Sequence, residues 1–574
     1  MVYLTPGDIG WEPYVKTWCS NLPEEPFSAK CKERILGFFQ EHVDRGIEFL
    51  RKHGTEPVKT EDAQVVISLC LLFQAVLNVE AATANSCAGK DALGEEPVPP
   101  KDLRTLEPAE FEKFLLPAFC WAFTWTMGGT GDARTRRQFE RECENWFSTV
   151  QMPRGGGVFD GYINFHEGPK WKNWTELVPA FQFDDTLSYF QLLVPNPDTV
   201  RFSYVIDRML SIQASVFLTG NSGVGKSVNI ANLLEKMKDL ANIVPVFMTF
   251  SAQTKAVDTQ FTIEGKLEKK KKTLLGAPAG KTVVILVDDV NMPLVEEYGA
   301  QPPVELLRQF QDHRGFWDRK KHDWKAVENT TLLLCAGPPG GGRNFMTARF
   351  TRHSHVLCMP PTSEEAMTTI FGSIINGFLA KFKGEIQGLG NASVAGTIEV
   401  YNKCGDELLP TPTRPHYTFN LRDFAKVVFG ILLLKKSECE GPERHIRLWT
   451  HEILRVFGDR LIDDTDRKWM LDQLRDCTKK VFQASFDDVL GHLDENKDGK
   501  VDTLDEIRTL FFGDMMSPAQ VPKRPYAECP DVAVLQKEIE AHLTAYNEMS
   551  SKPMDLVCFL YMLEHLSRVA RVIK

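Results

Sequence analysis

The sequence predicts an α/β fold, in which a parallel sheet with helices on both faces is set between helical subdomains. Three observations predict it. Short apolar runs stand at SVFLTG (215–220), IVPVFMTFS (243–251), TVVILVDD (282–289), TTLLLCAG (330–337) and HVLCMP (355–360), with helix-like segments between them. Strands that alternate with helices in this way build a parallel sheet. On both sides of this region the apolar spacing turns helical, and the first run passes through a glycine loop into a helical stripe.

Taken in order, residues 1 to about 150 are expected to be helical apart from one loop. CKERILGFFQEHVDRGIEFLRKH (31–53) carries apolar residues at helical spacing. VVISLCLLFQAVLNV (65–79) reads as a buried helix, because it is shorter than a membrane span and contains Gln74 and Asn78. CAGKDALGEEPVPPKD (87–102) is rich in Gly, Pro and charge and reads as an exposed loop. Residues 150–200 look irregular, and residues 200–360 carry the strands. KLEKKKK (266–272) reads as a solvated helix end, with a nucleic-acid or tubulin contact as the functional alternative. Residues 365–480 return to helical periodicity, and 480–574 are helical with a loop near 517–530. No internal repeat or low-complexity tract interrupts the chain.

With 574 residues the chain has room for about three or four domains. Its 67 basic and 77 acidic side chains leave a formal net charge of -10, the opposite of the basic excess of a dedicated nucleic-acid binder. GGTGDARTRRQF (128–139) has basic residues with few aromatics and does not change that expectation. None of the 13 cysteines forms a C-x-x-C pair, so no zinc or redox motif is expected and scattered thiols suit a reducing cytosol. No signal peptide or membrane partner is expected. His353 and His355 have no acidic or cysteine ligand beside them in sequence, so they point to no zinc site. Spacing assigns no Ser-His-Asp or Cys-His set.

GNSGVGKS (220–227) matches G-x-x-x-x-G-K-[ST] in full, between an apolar strand and VNIANLLEKMKDLA, whose Ile230, Leu233, Leu234 and Met237 make one stripe. That context is what a phosphate-binding P-loop requires. Gly220, Asn221, Ser222, Gly223, Val224 and Gly225 would turn backbone N–H groups inward around ATP or ADP phosphates. Lys226 would reach the β- and γ-phosphates, and the Ser227 hydroxyl would bind Mg²⁺. VVILVDD then delivers Asp288 as a second Mg²⁺ group and Asp289 as the base that polarises attacking water. The bland alternatives are a chance glycine loop and a core strand ending in a turn.

The motifs VDDVNMP, YGAQPPVELLRQ (298–309), GPPGGGRN (337–344), RFTRH (349–353), YTFNLRDF (417–424) and HEILRVFGDRL (451–461) resemble a dynein heavy chain of axonemal type, over essentially the whole chain. The resemblance implies an AAA+ P-loop NTPase core, the third module of a motor ring. Its implied divisions are the second module's helical subdomain (1–165), the α/β subdomain (166–365), a helical lid (366–480), and an insertion running into the fourth module (481–574). By the same resemblance the first module, linker, stalk and microtubule-binding tip are expected to lie outside this sequence. Arg422 matches the sensor-two arginine, Arg349 the arginine finger for the neighbouring module's site, with Arg352 second, and Val200 the adenine contact. Implied partners are the adjacent modules and, through other regions, dynein intermediate and light chains and microtubules. The implied location is cytoplasm and cytoskeleton, in the axoneme of a cilium or flagellum.

Two positions depart from the family. Asp289 stands where a glutamate is usual, and Gly337 stands where a polar sensor-one residue, commonly asparagine, is expected, with Asn344 as a substitute from the loop. A misplacement near 1 Å can cost on the order of 100-fold in rate, so ATP binding with slow hydrolysis is the favoured expectation. A nucleotide-locked structural segment is the alternative. A third reading rests on DENKDGKVDTLD (494–505), which resembles an EF-hand loop. Asp494, Asn496, Asp498, Lys500 and Asp505 would ligate Ca²⁺, with Gly499 at the turn, Val501 apolar, and Glu506 usable only with an insertion. Its bland counterpart is a solvated acidic turn between helices.

Overall fold

The computed structural model describes residues 9–77, 103, 106–152, 156–165, 168–189, 192–240, 242–439, 441–494, 497–517 and 524–573. The whole of the expected loop 87–102, Asn78 and Val79 of the expected helix 65–79, and Asn496 lie outside the described residues. The chain divides into two units. One contains residues 1–180 and 195–361, the other residues 181–194 and 362–574.

The first unit holds the predicted sheet. Its strands are β1 (Ser215–Thr219), β2 (Ile243–Thr249), β3 (Thr282–Asp288), β4 (Thr330–Ala336) and β5 (Ser354–Cys358). They pair in parallel in the order β5-β1-β4-β3-β2. β1, β4 and β5 are buried along their whole length, which is why they read as continuous apolar runs instead of alternating ones. The helix Lys226–Leu240 follows β1 and buries Ile230, Leu233, Leu234 and Met237, the stripe predicted for it.

The helices of residues 1–150 pack into this unit. Gln64, on the helix Asp62–Leu77, donates its side-chain amide to the carbonyls of Thr351 (2.9 Å) and Ser354 (3.1 Å), fixing the start of β5. Arg136, on the helix Ala133–Trp146, donates to the carbonyls of Gly129 (3.1 Å) and Cys358, the last residue of β5. Its guanidinium lies 5.2 Å from the Phe159 ring and 5.4 Å from that of Phe202, and burial lowers its pKa to about 10.

Three segments differ from the sequence reading. KLEKKKK is not a helix end: Glu268–Lys271 is an exposed strand of a second, four-stranded sheet with Leu274–Gly276, Gly315–Trp317 and Trp324–Glu328. Four successive long polar side chains on an edge strand hide the period-two pattern, and lysines suit an exposed edge. The stretch 150–200 contains a hairpin of Gly161–Asn164 with Lys170–Asn173, and the C-terminal region contains an antiparallel pair, Phe512–Gly513 with Ala527–Glu528. These strands are too short to carry a sequence period.

The second unit is helical and closes on a buried charge. Glu452 has 0% exposure and accepts from Tyr526 Oη (2.8 Å), His451 Nδ1 (3.0 Å) and Arg571 Nε (2.7 Å). It thereby ties the helix Pro442–Val456 to the helix Leu560–Ile573. A Cβ at Gly430 would lie 1.8 Å from the Glu452 carboxylate, so the neighbouring helix needs glycine there. Burial alone would raise the Glu452 pKa, but the bonds from His451 and Arg571 hold it to about 2. Because the folded value lies below the unfolded one, this stabilisation is complete above about pH 4.5 and is lost as pH falls toward 2. Glu452→Gln is therefore expected to lower the thermal midpoint at pH 7, by roughly 3 kcal/mol of stability. The deficit should shrink as circular-dichroism melts are repeated from pH 5 down to pH 2.5. A deficit independent of pH would mean that the carboxylate charge is not what stabilises the unit.

Candidate functional site

The glycine loop begins where β1 ends. Gly220, Gly223 and Gly225 have φ of +147°, +89° and +86°, which L side chains rarely adopt. A Cβ at Gly220 would also lie 2.5 Å from the Met359 carbonyl oxygen, so the loop leaves the sheet through a gap that only glycine fits. Asn221 and Ser222 are exposed, and Val224 packs against the core below. The Lys226 ammonium donates to the carbonyls of Gly220 (2.7 Å) and Asn221 (2.8 Å). Burial lowers its pKa, while Asp288 and Asp289 act to raise it and the nearby Arg343 charge to lower it.

Ser227, in the first turn of the helix after β1, comes together with Asp288, the last residue of β3, although β1 and β3 are not neighbours. Ser227 Oγ donates to Asp288 Oδ2 at 2.5 Å, across the end of β4, which separates β1 from β3. The other carboxylate oxygen of Asp288 accepts from the Asp289 backbone N–H at 3.0 Å. This pairing leaves Asp289 in the left-handed region, with φ +51°. Its side chain is 37% exposed and lies 3.8 Å from Arg343 Nε. Beneath them Cys335 of β4 is buried, and burial pushes its thiol well above the usual range, so it is a neutral wall of the site.

Beyond β4 the segment 337–344 makes a tight turn. Gly340, Gly341 and Gly342 have φ of +116°, +59° and +87°, and Gly340 and Arg343 exchange backbone hydrogen bonds at 3.0 and 3.1 Å. Buried Asn291 latches the turn, its side-chain amide donating to the carbonyls of Gly337 (2.9 Å) and Asn344 (3.3 Å). The Asn344 amide donates to Pro293 at 2.8 Å, so it serves this latch. Arg343 fills the space over Gly337, where a Cβ would lie 2.7 Å from its Nε. Sequence reasoning did not single out Arg343 or Asn291. The available signal was three glycines running into an arginine, which forces a sharp return of the chain.

The other expected residues are dispersed. Val200, half-buried on the helix Pro197–Ser211, packs against the core of the first unit. Arg349 is exposed and makes no hydrogen bond or ion pair among the described residues, whereas Arg352 pairs with Asp312 at 2.8 Å beside His353. Arg422 is exposed in the first turn of the helix Leu421–Leu432, in the second unit. In the EF-hand-like segment, Asp494 accepts from Gly499 N–H (2.8 Å), Asp498 from Lys500 N–H (2.9 Å), and Asp505 pairs with Arg508 (3.1 Å). Glu506 accepts from Thr503 Oγ1 (2.7 Å), capping the next helical turn. Val501 is buried against the lid, and among the described residues no group of three or more His, Cys, Asp or Glu forms a metal cluster. These bonds hold the described part of the segment as a capped turn, and Asn496, one of the expected ligands, lies outside the described residues.

Comparison with known proteins places these features in context. Residues 181–362 match the family described as P-loop containing dynein motor region, residues 35–176 the dynein heavy chain AAA lid domain, and residues 393–494 the AAA+ lid domain. The whole chain is 35% identical over 578 residues to dynein axonemal heavy chain 6 of Homo sapiens, covering 13% of that protein. It is 34% identical to dynein axonemal heavy chain 12 of Mus musculus and 33% identical to dynein axonemal heavy chain 3 of Homo sapiens, again over the whole chain, covering 18% and 14% of them. The chain therefore spans less than a fifth of the length of these curated relatives.

The latch carries its own prediction. Asn291→Ala removes two buried hydrogen bonds and leaves the Gly337 and Asn344 carbonyls without that partner. It is expected to destabilise the first unit by about 1–3 kcal/mol, measured by denaturant unfolding. A change below about 0.5 kcal/mol, the usual range for an inconsequential surface position, would mean that the turn holds itself.

Proposed function

This chain belongs to the dynein heavy-chain family, axonemal type, and we propose that it contributes a regulatory AAA+ module that binds ATP and hydrolyses it slowly. The observation that carries this reading is the convergence of the glycine cradle, Lys226, Ser227 and Asp288 at one end of the parallel sheet, with Ser227 and Asp288 2.5 Å apart. Hard oxygen donors of this kind suit Mg²⁺, and the ion, in place of the hydrogen bond between them, would neutralise phosphate charge there. The glycine loop offers backbone N–H groups to phosphate oxygens. Lys226 brings a buried ammonium that can exchange two carbonyls for charged oxygens, a stronger partner. Val200 would contact the base, Arg422 would approach from the lid, and exposed Arg349 would serve a neighbouring module.

Asp289 is the residue for polarising water, and its position favours slow turnover. Its carboxylate is one methylene short of the usual glutamate, it faces Arg343 at 3.8 Å, and no amide follows β4. The same facts support a second reading, a segment that holds nucleotide without turnover. In either case the module would work through adjacent modules of a motor ring, and with intermediate and light chains and microtubules through other regions of the heavy chain. The place of work would be the cytoskeleton of a cilium or flagellum.

Binding of a fluorescent ATP analogue to the chain tests the reading. Lys226→Ala is expected to weaken it on the order of 100-fold, from loss of charge-assisted phosphate contacts. Unchanged binding would overturn the proposal. Single-turnover hydrolysis in the assembled heavy chain then separates the two readings. Asp289→Glu is expected to speed phosphate release on the order of tenfold or more; no cleavage in either form over hours would leave the nucleotide-locked reading.

A further inference from the structure

Arg343 has no role in the reading above beyond facing Asp289, yet it sits on a tightly pinned turn. Three consecutive left-handed glycines reverse the chain within four residues, Asn291 pins both ends, and the result is a guanidinium laid over Gly337 at the tip of β4. A side chain at position 337 would collide with it: a Cβ would lie 2.7 Å from Nε and 2.9 Å from Cδ. Arg343 thus takes the space that a side chain at position 337 would use. The Arg343 Nε is buried and has no hydrogen-bond partner, while Asp289 stands 3.8 Å away, an ion pair without a made hydrogen bond. A buried donor left unmet costs free energy, which turning the side chain toward an acceptor would recover.

We propose that Arg343 acts as the γ-phosphate sensor of this site, its guanidinium pairing with Asp289 when ADP is bound and transferring to the γ-phosphate when ATP is bound. This rests on the reading of the P-loop as a nucleotide site and deepens it. A planar guanidinium suits the geometry of a phosphate better than a point charge does, and a dianionic phosphate outcompetes a single carboxylate for it. The exchange has a second effect. While Arg343 faces Asp289, the carboxylate is held by a cation; when Arg343 turns to the phosphate, Asp289 is free to accept from water. One side chain thus couples recognition of the third phosphate to exposure of the base, without the amide that other members place after β4.

The test compares ATP and ADP, each with Mg²⁺, by competition against a fluorescent nucleotide on the full chain. Arg343→Ala is expected to weaken ATP by about 10- to 100-fold, the worth of a hydrogen bond to a charged group, and to leave ADP within about twofold. Arg343→Lys keeps the charge without the fork and should fall between the two. Gly337→Asn combined with Arg343→Ala restores a polar group at the tip of β4, in the space the arginine vacates, and is expected to recover part of the ATP preference. Equal losses for ATP and ADP in Arg343→Ala, or no loss for either, would overturn the sensor while leaving nucleotide binding intact. Failure of the underlying reading looks different: the wild type binds neither nucleotide, or Lys226→Ala binds both as tightly as wild type. Thermal melts of each variant confirm that the turn has folded, and Arg343→Lys keeps the comparison decisive if the alanine variant has not.

Discussion

The site depends on a contact between strands that do not touch. β1 and β3 are separated by β4, so Ser227, in the first turn of the helix that follows β1, and Asp288, at the end of β3, meet at 2.5 Å only by reaching across the tip of the strand between them. That crossing sets what β4 can carry. Its last residues are Cys335 and Ala336, followed by Gly337, all small, and the space above them is the shared volume of the site. A bulky residue there would separate the hydroxyl from the carboxylate. Arg343 enters the same volume from outside, and it fits because residue 337 has no side chain.

The crossing also needs the strands to hold register, and the helical region before them contributes to that. Arg136 donates to the last carbonyl of β5, and Gln64 donates at its start, so both ends of the edge strand beside β1 are fixed. Met359, next after β5, sends its N–H to Thr219 at 2.8 Å and presents the carbonyl that forces glycine at position 220. The path is continuous: a buried arginine among aromatic rings fixes β5, β5 fixes Met359, and Met359 fixes where the phosphate loop begins. The exposed Arg349 lies on the short helix Ala348–Thr351 just before β5, whose last carbonyl Gln64 also holds, so its backbone is placed by the same anchors.

Much of this was legible in the sequence, for physical reasons. Buried parallel strands read as unbroken apolar runs, and all five were found; the loop between β1 and its helix has a pattern dense enough to be recognised whole. The rest was hidden where the signal is spatial. Glu268–Lys271 is a strand whose lysines carry no burial period. Glu452 looks like any surface acid in HEILRVFGDRL until Tyr526 and Arg571, from distant segments, converge on it beside its neighbour His451. The EF-hand-like spacing is a linear pattern, whereas the partners its acids have here, Arg508, Thr503 and backbone N–H groups, are set by how the segment turns. Gly337 read as a missing group; the structure fills its place with a residue six positions later, which no linear motif records.

The shortened acid takes a different meaning from this geometry. Asp289 follows Asp288 directly, and the bond from its own N–H to the Asp288 carboxylate draws the backbone into the left-handed region. Aspartate is among the few side chains that adopt φ near +51° readily, whereas glutamate is not. Loss of a methylene therefore costs reach but relieves backbone strain, and the reach that is lost is toward the open side of the site where Arg343 waits at 3.8 Å. The shorter acid keeps the arginine within Coulombic range but unbonded, so that a competing anion can take it. On the proposal made here for Arg343, the residue that reads in sequence as a weakened catalytic acid is also half of an ion pair that has to part.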